Sequence, residues 1–272
     1  MKPHIFPLLA WMLCLGVPVL AETEATDQAT PEVTIAKFKN AKAAAVSLTF
    51  DDAFDDHHQV VGPLLEEYGF RGTFFVIIRH VEMWAGWRPW QAMADRGHEI
   101  GNHTWNHPNL THIEDPEKLH HEVVASREYI EKKTGHPVVS MAYPFAKASP
   151  EVEKLTLAHH RFARKYEPLY GGKDFKVEKA NRWIRDAISE GQWHIGLLHS
   201  VSEETGFNPL PKDIFEGHLK FLKEQEDQLW VDTYGRVASY RAARESSSVT
   251  VQSSTTDSLV FALKTSDPEH AE

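Results

Sequence analysis

Cysteine is nearly absent from the chain: one, Cys14, occurs in 272 residues, and it lies inside an apolar N-terminal stretch. Residues beyond that stretch can form neither a disulfide nor a thiolate metal site, so any metal must be held by His, Asp or Glu. Positive charge is also scarce. Lys and Arg total 29 against 39 Asp and Glu, a formal charge of −10. Losing Lys2 with the N-terminal stretch would give 28 − 39 = −11. Such a balance disfavours nucleic acid and strongly anionic polymers and suits neutral partners. Internal repeats and low-complexity blocks are missing too, and only the N-terminal stretch approaches the ~20 apolar residues of a membrane span.

That stretch has Lys2, an apolar run from Ile5, and Val19-Leu20-Ala21 before polar sequence. It reads as a secretory signal peptide, residues 1–21, with an uncleaved anchor as the alternative. Pro7, Gly16 and Pro18 interrupt the run and favour cleavage. The expectation is a secreted or periplasmic protein whose mature chain has no integral span. Residues 22–42 form a polar leader, 43–245 the main domain, and 246–272 a Ser/Thr-rich extension with two β-like runs, a possible hairpin.

What is present from Ala43 onward is alternation. Strand-like runs such as AAVSLTF, RGTFFVII, VVSMAYPF and WHIGLLHSV are separated by amphipathic helical stretches. In DPEKLHHEVVASREYIEKKTG, Asp115 can cap a long helix, Pro116 suits its first turn and Gly135 can end it. About seven strand-then-helix units predict an α/β fold: a (β/α) barrel of parallel strands with its chemistry at the C-terminal strand ends.

Three places there carry chemical side chains. Asp51 and Asp52 end the run VSLTF, although neighbouring strand residues point to opposite faces. A helix cap with an acidic first turn is the plain alternative. His103 and His107 sit four apart in GNHTWNHPNLT, and Pro108 keeps His107 out of a true helix. His199 lies one step past an apolar strand. The remaining histidines, including His57, His58, His120, His121, His159 and His160, read as surface residues. One carboxylate and two imidazoles make a facial ligand set with open positions, as a catalytic zinc or related divalent ion requires. A cation would also relieve the repulsion between Asp51 and Asp52 and leave one of them to accept a proton.

The motifs TFDDA (Thr49–Ala53), HTWNHP (His103–Pro108), AYPFA (Ala142–Ala146) and LLHSV (Leu197–Val201) resemble, in order and spacing, those of the polysaccharide deacetylases. These are the family-four carbohydrate esterases with a NodB-homology fold, and the likeness spans about residues 43–242. It implies a distorted (β/α) barrel and hydrolysis of an acetyl group by metal-activated water. By position, Asp51 would be the general base, and Asp52, His103 and His107 the ligands of a divalent ion, Zn2+ first with Co2+ or Ni2+ as alternatives. His199 would be the general acid, and the Phe145 backbone N–H would serve an oxyanion hole.

The chain departs from the family pattern twice. Ala53 replaces a usual Gly, and Ala142 stands where an orienting Arg often begins the third motif. A carboxylate usually partners the late histidine; Asp174 is the candidate here, with Asp186 as the alternative. Trp84, Trp87 and Trp90, read as a loop, together with Trp105 and Tyr143, are candidate sugar contacts, with core packing as the plain reading. The expected substrate is an acetylated polysaccharide or oligosaccharide. N-deacetylation of an aminosugar polymer leads, O-acetyl esterase action on a xylan-type polymer follows, and a carbohydrate-binding relative impaired in turnover is the reading from another class.

Overall fold

A computed structural model describes residues 31–202 and 206–266; the expected signal peptide and the first part of the leader, residues 22–30, lie outside them. The chain runs β1 (Ala44–Asp51), α1 (Gly62–Glu67), β2 (Thr73–Val76), α2 (Ile78–Met83), α3 (Trp87–Asp95) and β3 (Glu99–Asn102). It continues through α4 (Pro116–His120), α5 (Ser126–Thr134), β4 (Ser140–Ala142), α6 (Pro150–His159), β5 (Phe162–Arg164), α7 (Val177–Glu190) and β6 (Trp193–Leu198). Then follow α8 (Lys212–Glu224), β7 (Leu229–Val231), α9 (Tyr234–Glu245), β8 (Ser247–Ser254) and β9 (Leu259–Thr265).

Strands β1 to β7 form one parallel sheet in the order β5-β4-β3-β2-β1-β6, with β7 also paired to β1. All eight residues of β1 are buried, as expected of a strand covered on both faces. The sheet curls into a half-barrel, and the segment after β5 carries it round to β6. There Tyr170 N–H donates to the Leu197 carbonyl and Leu197 N–H to the Pro168 carbonyl, at 2.9 and 3.0 Å. A single bridge between Leu169 and Leu197 thus closes a distorted (β/α) barrel. Val46, Leu48 and Phe50 of β1 pack with Phe74, Phe215 and Leu219 in its main core.

Helix α2 was not legible, while WQAMADRG reads as a helix and α3 starts three residues before it. The run RGTFFVII stops being strand at Val76, and the Trp-rich stretch after it is α2 and α3 with a short turn between, not a loop. The long helix is capped by Asp115, whose carboxylate accepts from Glu117 N–H at 3.0 Å, and Gly135 ends it in a left-handed conformation. It also contains a π-helical turn, His121–Ala125, between α4 and α5. A second such turn, His57–Val61, leads into α1. Strands β8 and β9 pair antiparallel as a separate two-stranded sheet.

At the N-terminal strand ends the half-buried Glu99 carboxylate accepts from Thr73 Oγ1, Ser140 Oγ and Gly235 N–H at 2.8, 2.5 and 2.7 Å. A Cβ on Gly235 would stand 2.7 Å from Glu99 Oε1, so only glycine lets α9 start this close. The chemistry-bearing side chains lie at the opposite end.

Candidate active site

At the end of β1 the backbone turns left-handed, with φ of 79° at Asp52 and 60° at Ala53. Successive side chains stop alternating there, so Asp51 and Asp52 reach the same site. Ala53 holds a conformation that glycine adopts freely and that costs other residues on the order of 1 kcal/mol or more. Asp52 is pinned from both sides of its peptide unit. Its N–H donates to the Phe75 carbonyl at 3.2 Å, and its carbonyl accepts from His80 Nδ1 at 2.8 Å.

His103 and His107 follow β3 in a tight loop, with left-handed φ at Thr104 (71°) and His107 (61°). Their spacing is therefore not helical, yet their ring centroids lie 4.7 Å apart. His103 Nδ1 donates to the Ala142 carbonyl at 2.8 Å, which fixes the tautomer and turns Nε2 inward. The Nε2 atoms of His103 and His107 each lie 3.6 Å from Asp52 Oδ1.

Three ligating atoms from Asp52, His103 and His107 lie within 4.8 Å of one another. A spacing of 3.6 Å exceeds a hydrogen bond and suits donors that share an ion at ~2.0–2.2 Å each. Asp52 Oδ1 is buried without a hydrogen-bond partner among the described residues. Burial and the neighbouring Asp51 charge push the Asp52 carboxyl up to about 7. Burial, followed by His103, pushes His107 down to about 3. An unpartnered carboxylate oxygen facing two basic imidazole nitrogens fits a divalent cation.

Asp51, buried alongside, meets a different environment. Arg164 Nη2 donates to its Oδ1 and Oδ2 at 2.6 and 2.5 Å. Burial opposes ionisation, but Arg164, then His103 and His199, hold the carboxyl below its ordinary value. Arg164 answers the departure at Ala142. The two residues are register partners across β4 and β5, so the guanidinium comes from the adjacent strand at the same level.

His199 stands just past β6, its Nε2 3.9 Å from Asp52 Oδ2. Burial, the main cause, holds its imidazole below the ordinary range. Its carbonyl accepts from His57 Nε2 at 2.7 Å. The next two residues are tied to Asp56, which accepts from Ser200 Oγ at 2.6 Å and Val201 N–H at 2.7 Å. Asp174 is not its partner. It is exposed in the loop before α7 and makes no hydrogen bond or ion pair among the described residues, and Asp186 is likewise exposed on α7. His199 Nδ1 has no partner among the described residues.

The aromatic candidates separate. Trp84 is 44% exposed and stacks on His80 at 4.4 Å, behind the Asp52 carbonyl. Trp87 is half-buried against Tyr129, with Nε1 donating to Glu82 at 2.7 Å, and Trp90 is fully buried. Trp105 stacks between His121 and Tyr129. Tyr143 is no sugar contact: it is buried in a second core with Leu110, Val123 and Val152, inward of the turn Pro144–Ala146. Phe145 takes a left-handed φ of 57° in that turn, is 60% exposed, and packs its ring 4.7 Å from His107.

Several positioning residues escaped the sequence reading. Glu122 accepts from Trp105 N–H, Asn106 N–H and Asn106 Nδ2 at 3.0, 2.9 and 2.7 Å, and so clamps the His103–His107 loop. Asn102 donates to Ser126 Oγ and His160 Nε2 beneath it. His57 and His160, read as surface residues, are both buried. Both π-helical turns supply such a group, His57 in one and Glu122 in the other, in keeping with the tendency of π-bulges to occur at functional sites.

Residues 38–161 match the polysaccharide deacetylase family. That segment, under half of the 272 residues, resembles the family and holds Asp51, Asp52, His103 and His107. Over 99 residues, 35% of this chain and 36% of the relative, it is 32% identical to the peptidoglycan-N-acetylmuramic acid deacetylase PdaA of Bacillus subtilis. Over 98 residues, 35% of this chain and 43% of the relative, it is 34% identical to a peptidoglycan-N-acetylglucosamine deacetylase of Bacillus cereus. A longer alignment, 24% identical over 90% of this chain, joins it to a gellan lyase of a Bacillus species, of which it covers 11%. The chain thus spans well under half of each of these relatives. Its fold is that of the solved peptidoglycan deacetylase PdaC from Bacillus subtilis (TM-score 0.54, 20% identity, 74% of this chain and 93% of that one). A CE4-family pseudoenzyme from Bacillus anthracis shares it too (TM-score 0.54, 19% identity, 71% of this chain and 64% of that one). Arg164 and His199 lie beyond the matched segment.

Proposed function

We propose that this chain is a metal-dependent deacetylase that removes N-acetyl groups from an aminosugar polysaccharide or oligosaccharide. The observation that carries the reading is Asp52 Oδ1 set 3.6 Å from both His103 Nε2 and His107 Nε2, with an ionised, Arg164-bound Asp51 beside it. Asp52, His103 and His107 would hold the ion, zinc by the nature of the donors. A bound divalent ion supplies a Lewis acid for an acyl oxygen and acidifies water.

The protein's own groups do the rest. Asp51 accepts the proton of the attacking water on its carboxylate, which Arg164 keeps ionised and oriented. His199, on the other side of Asp52, gives a proton from Nε2 to the departing nitrogen. The Phe145 backbone N–H, exposed by the left-handed turn, donates to the developing oxyanion. The apolar run of residues 5–21 supports a protein that acts outside the cytoplasm. Acetate release from chitooligosaccharides, peptidoglycan and acetylated xylan tests the reading. Release from the aminosugar polymers, reduced on the order of 10²-fold or more by Asp51→Asn, is expected. Release from xylan alone, or full turnover in Asp51→Asn with metal bound, would overturn it.

A further inference from the structure

Beside His199 lies a cavity of about 330 Å3 lined by Phe54, Asp55, Asp56, Trp84, Ser200 and Gly206. That is the lower end of the range for ligand pockets, ~300–1,000 Å3, and suits one sugar ring. Two of its walls are tied to the candidate site, one to the metal-ligand candidate Asp52 and one to His199. Trp84 backs onto His80, which holds the Asp52 carbonyl, and Ser200 follows His199 directly. A unit seated here would neighbour the one being processed.

The chemistry of the lining is one-sided. Trp84 and Phe54 lie nearly parallel, 6.0 Å apart at 20°, and Trp84 leaves 44% of its surface open. Asp55 and Asp56 add two carboxylates, and no Lys or Arg among the described residues lines the space. Asp56 is already engaged by Ser200 and Val201, whereas Asp55, among the described residues, has only the His58 imidazole at 3.6 Å and is half-exposed. Gly206 closes the far wall at φ +89°, where a Cβ would stand 2.4 Å from Ser200 Cβ. An aromatic face beside an open carboxylate attracts an ammonium group and repels a carboxylate.

We propose that this cavity is a subsite selecting a glucosamine unit, a sugar whose amine is free and protonated, next to the acetylated unit. The inference rests on the deacetylase reading and deepens it: the protein would favour partly deacetylated chains and disfavour polymers bearing acidic groups at that position.

Binding of three oligosaccharides of equal length to the full chain, measured by calorimetry at mildly acidic pH, tests this. The probes are a glucosamine oligomer, an N-acetylglucosamine oligomer and a galacturonate oligomer. The glucosamine oligomer should bind about tenfold more tightly than the acetylated one, with the galacturonate weakest. Asp55→Asn should erase that preference. Asp95→Asn, which removes an equal charge at the end of α3, should leave it intact. Trp84→Ala should weaken both neutral and cationic oligomers. Equal or tighter binding of the acetylated oligomer, or a preference that survives Asp55→Asn, overturns the proposal. All three substituted residues are exposed, so folding is not at stake. Because no turnover is read, failure of the deacetylase reading would appear separately, as absent acetate release with the binding order unchanged.

Discussion

Ala142 on β4 and Arg164 on β5 are register partners, and the Arg164 guanidinium reaches across to grip the Asp51 carboxylate at 2.5 and 2.6 Å. An arginine missing from one strand is thus replaced from its neighbour, at the same level of the barrel and on the same carboxylate.

Removing that cation leaves a buried carboxylate uncompensated. Arg164→Ala should destabilise the fold by about 3–5 kcal/mol and lower acetate release on the order of 10²-fold or more. The metal content, read by elemental analysis, should persist, because the three ligands are untouched. Ala142→Arg in the Arg164→Ala background should restore part of the activity. A double variant as inactive as the single one would show that strand position matters beyond charge.

Chelation should inactivate the protein and re-addition of zinc restore it. Zinc at a hundredfold excess over Kd should stabilise the fold by about 2.7 kcal/mol, a rise of several degrees in Tm for a domain of this size. Asp52→Asn should abolish that rise in a thermal melt. Asp174→Asn should leave it unchanged.

Asp174→Ala should also leave kcat/KM within about twofold of the parent, as expected for an exposed side chain without partners. His57→Phe should lower kcat while metal binding persists, because it removes the bond that holds the His199 carbonyl. Steady-state kinetics on one acetylated oligosaccharide distinguishes the two; a large loss with Asp174→Ala would reinstate it as the partner of His199.

Four histidines outside the candidate ligand set, three buried and His194 half-buried, are pushed down from 6.5: His98, His160 and His194 to about 4 and His218 to about 3, burial being the first cause in each. Between pH ~6.5 and ~4 the unfolded chain binds these protons and the folded chain does not, so stability rises with pH there and falls on acidification. Each histidine contributes up to about 1.4 kcal/mol per pH unit. Guanidinium unfolding across that window should show the slope, and His218→Leu should reduce it. A flat profile would mean that these rings are protonated in the fold.

The barrel was legible because its buried strands read as apolar runs and its helices carry their own stop signals, such as Gly135. The histidines and paired aspartates were legible because adjacent charges and His-x3-His are uncommon at strand ends. What escaped depends on backbone geometry or on register. His57 and Glu122 face the site because of π-helical turns, which no periodicity announces. Arg164 was hidden because a single arginine in RFARKY looks like any surface cation until β5 is laid beside β4. Trp87 and Trp90 were grouped with Trp84 because the turn dividing α2 from α3 leaves only a faint trace in composition.

The segment that leaves β5 after Arg164 runs on to Leu169, where one bridge to Leu197 completes the ring. Two backbone bonds therefore hold the seam, on the same stretch of chain that fixes the proton acceptor's counter-charge. Any loosening of the cylinder at that joint would shift the guanidinium against Asp51, so under the proposed mechanism the tightness of a structural clasp would set how steadily the base is aimed.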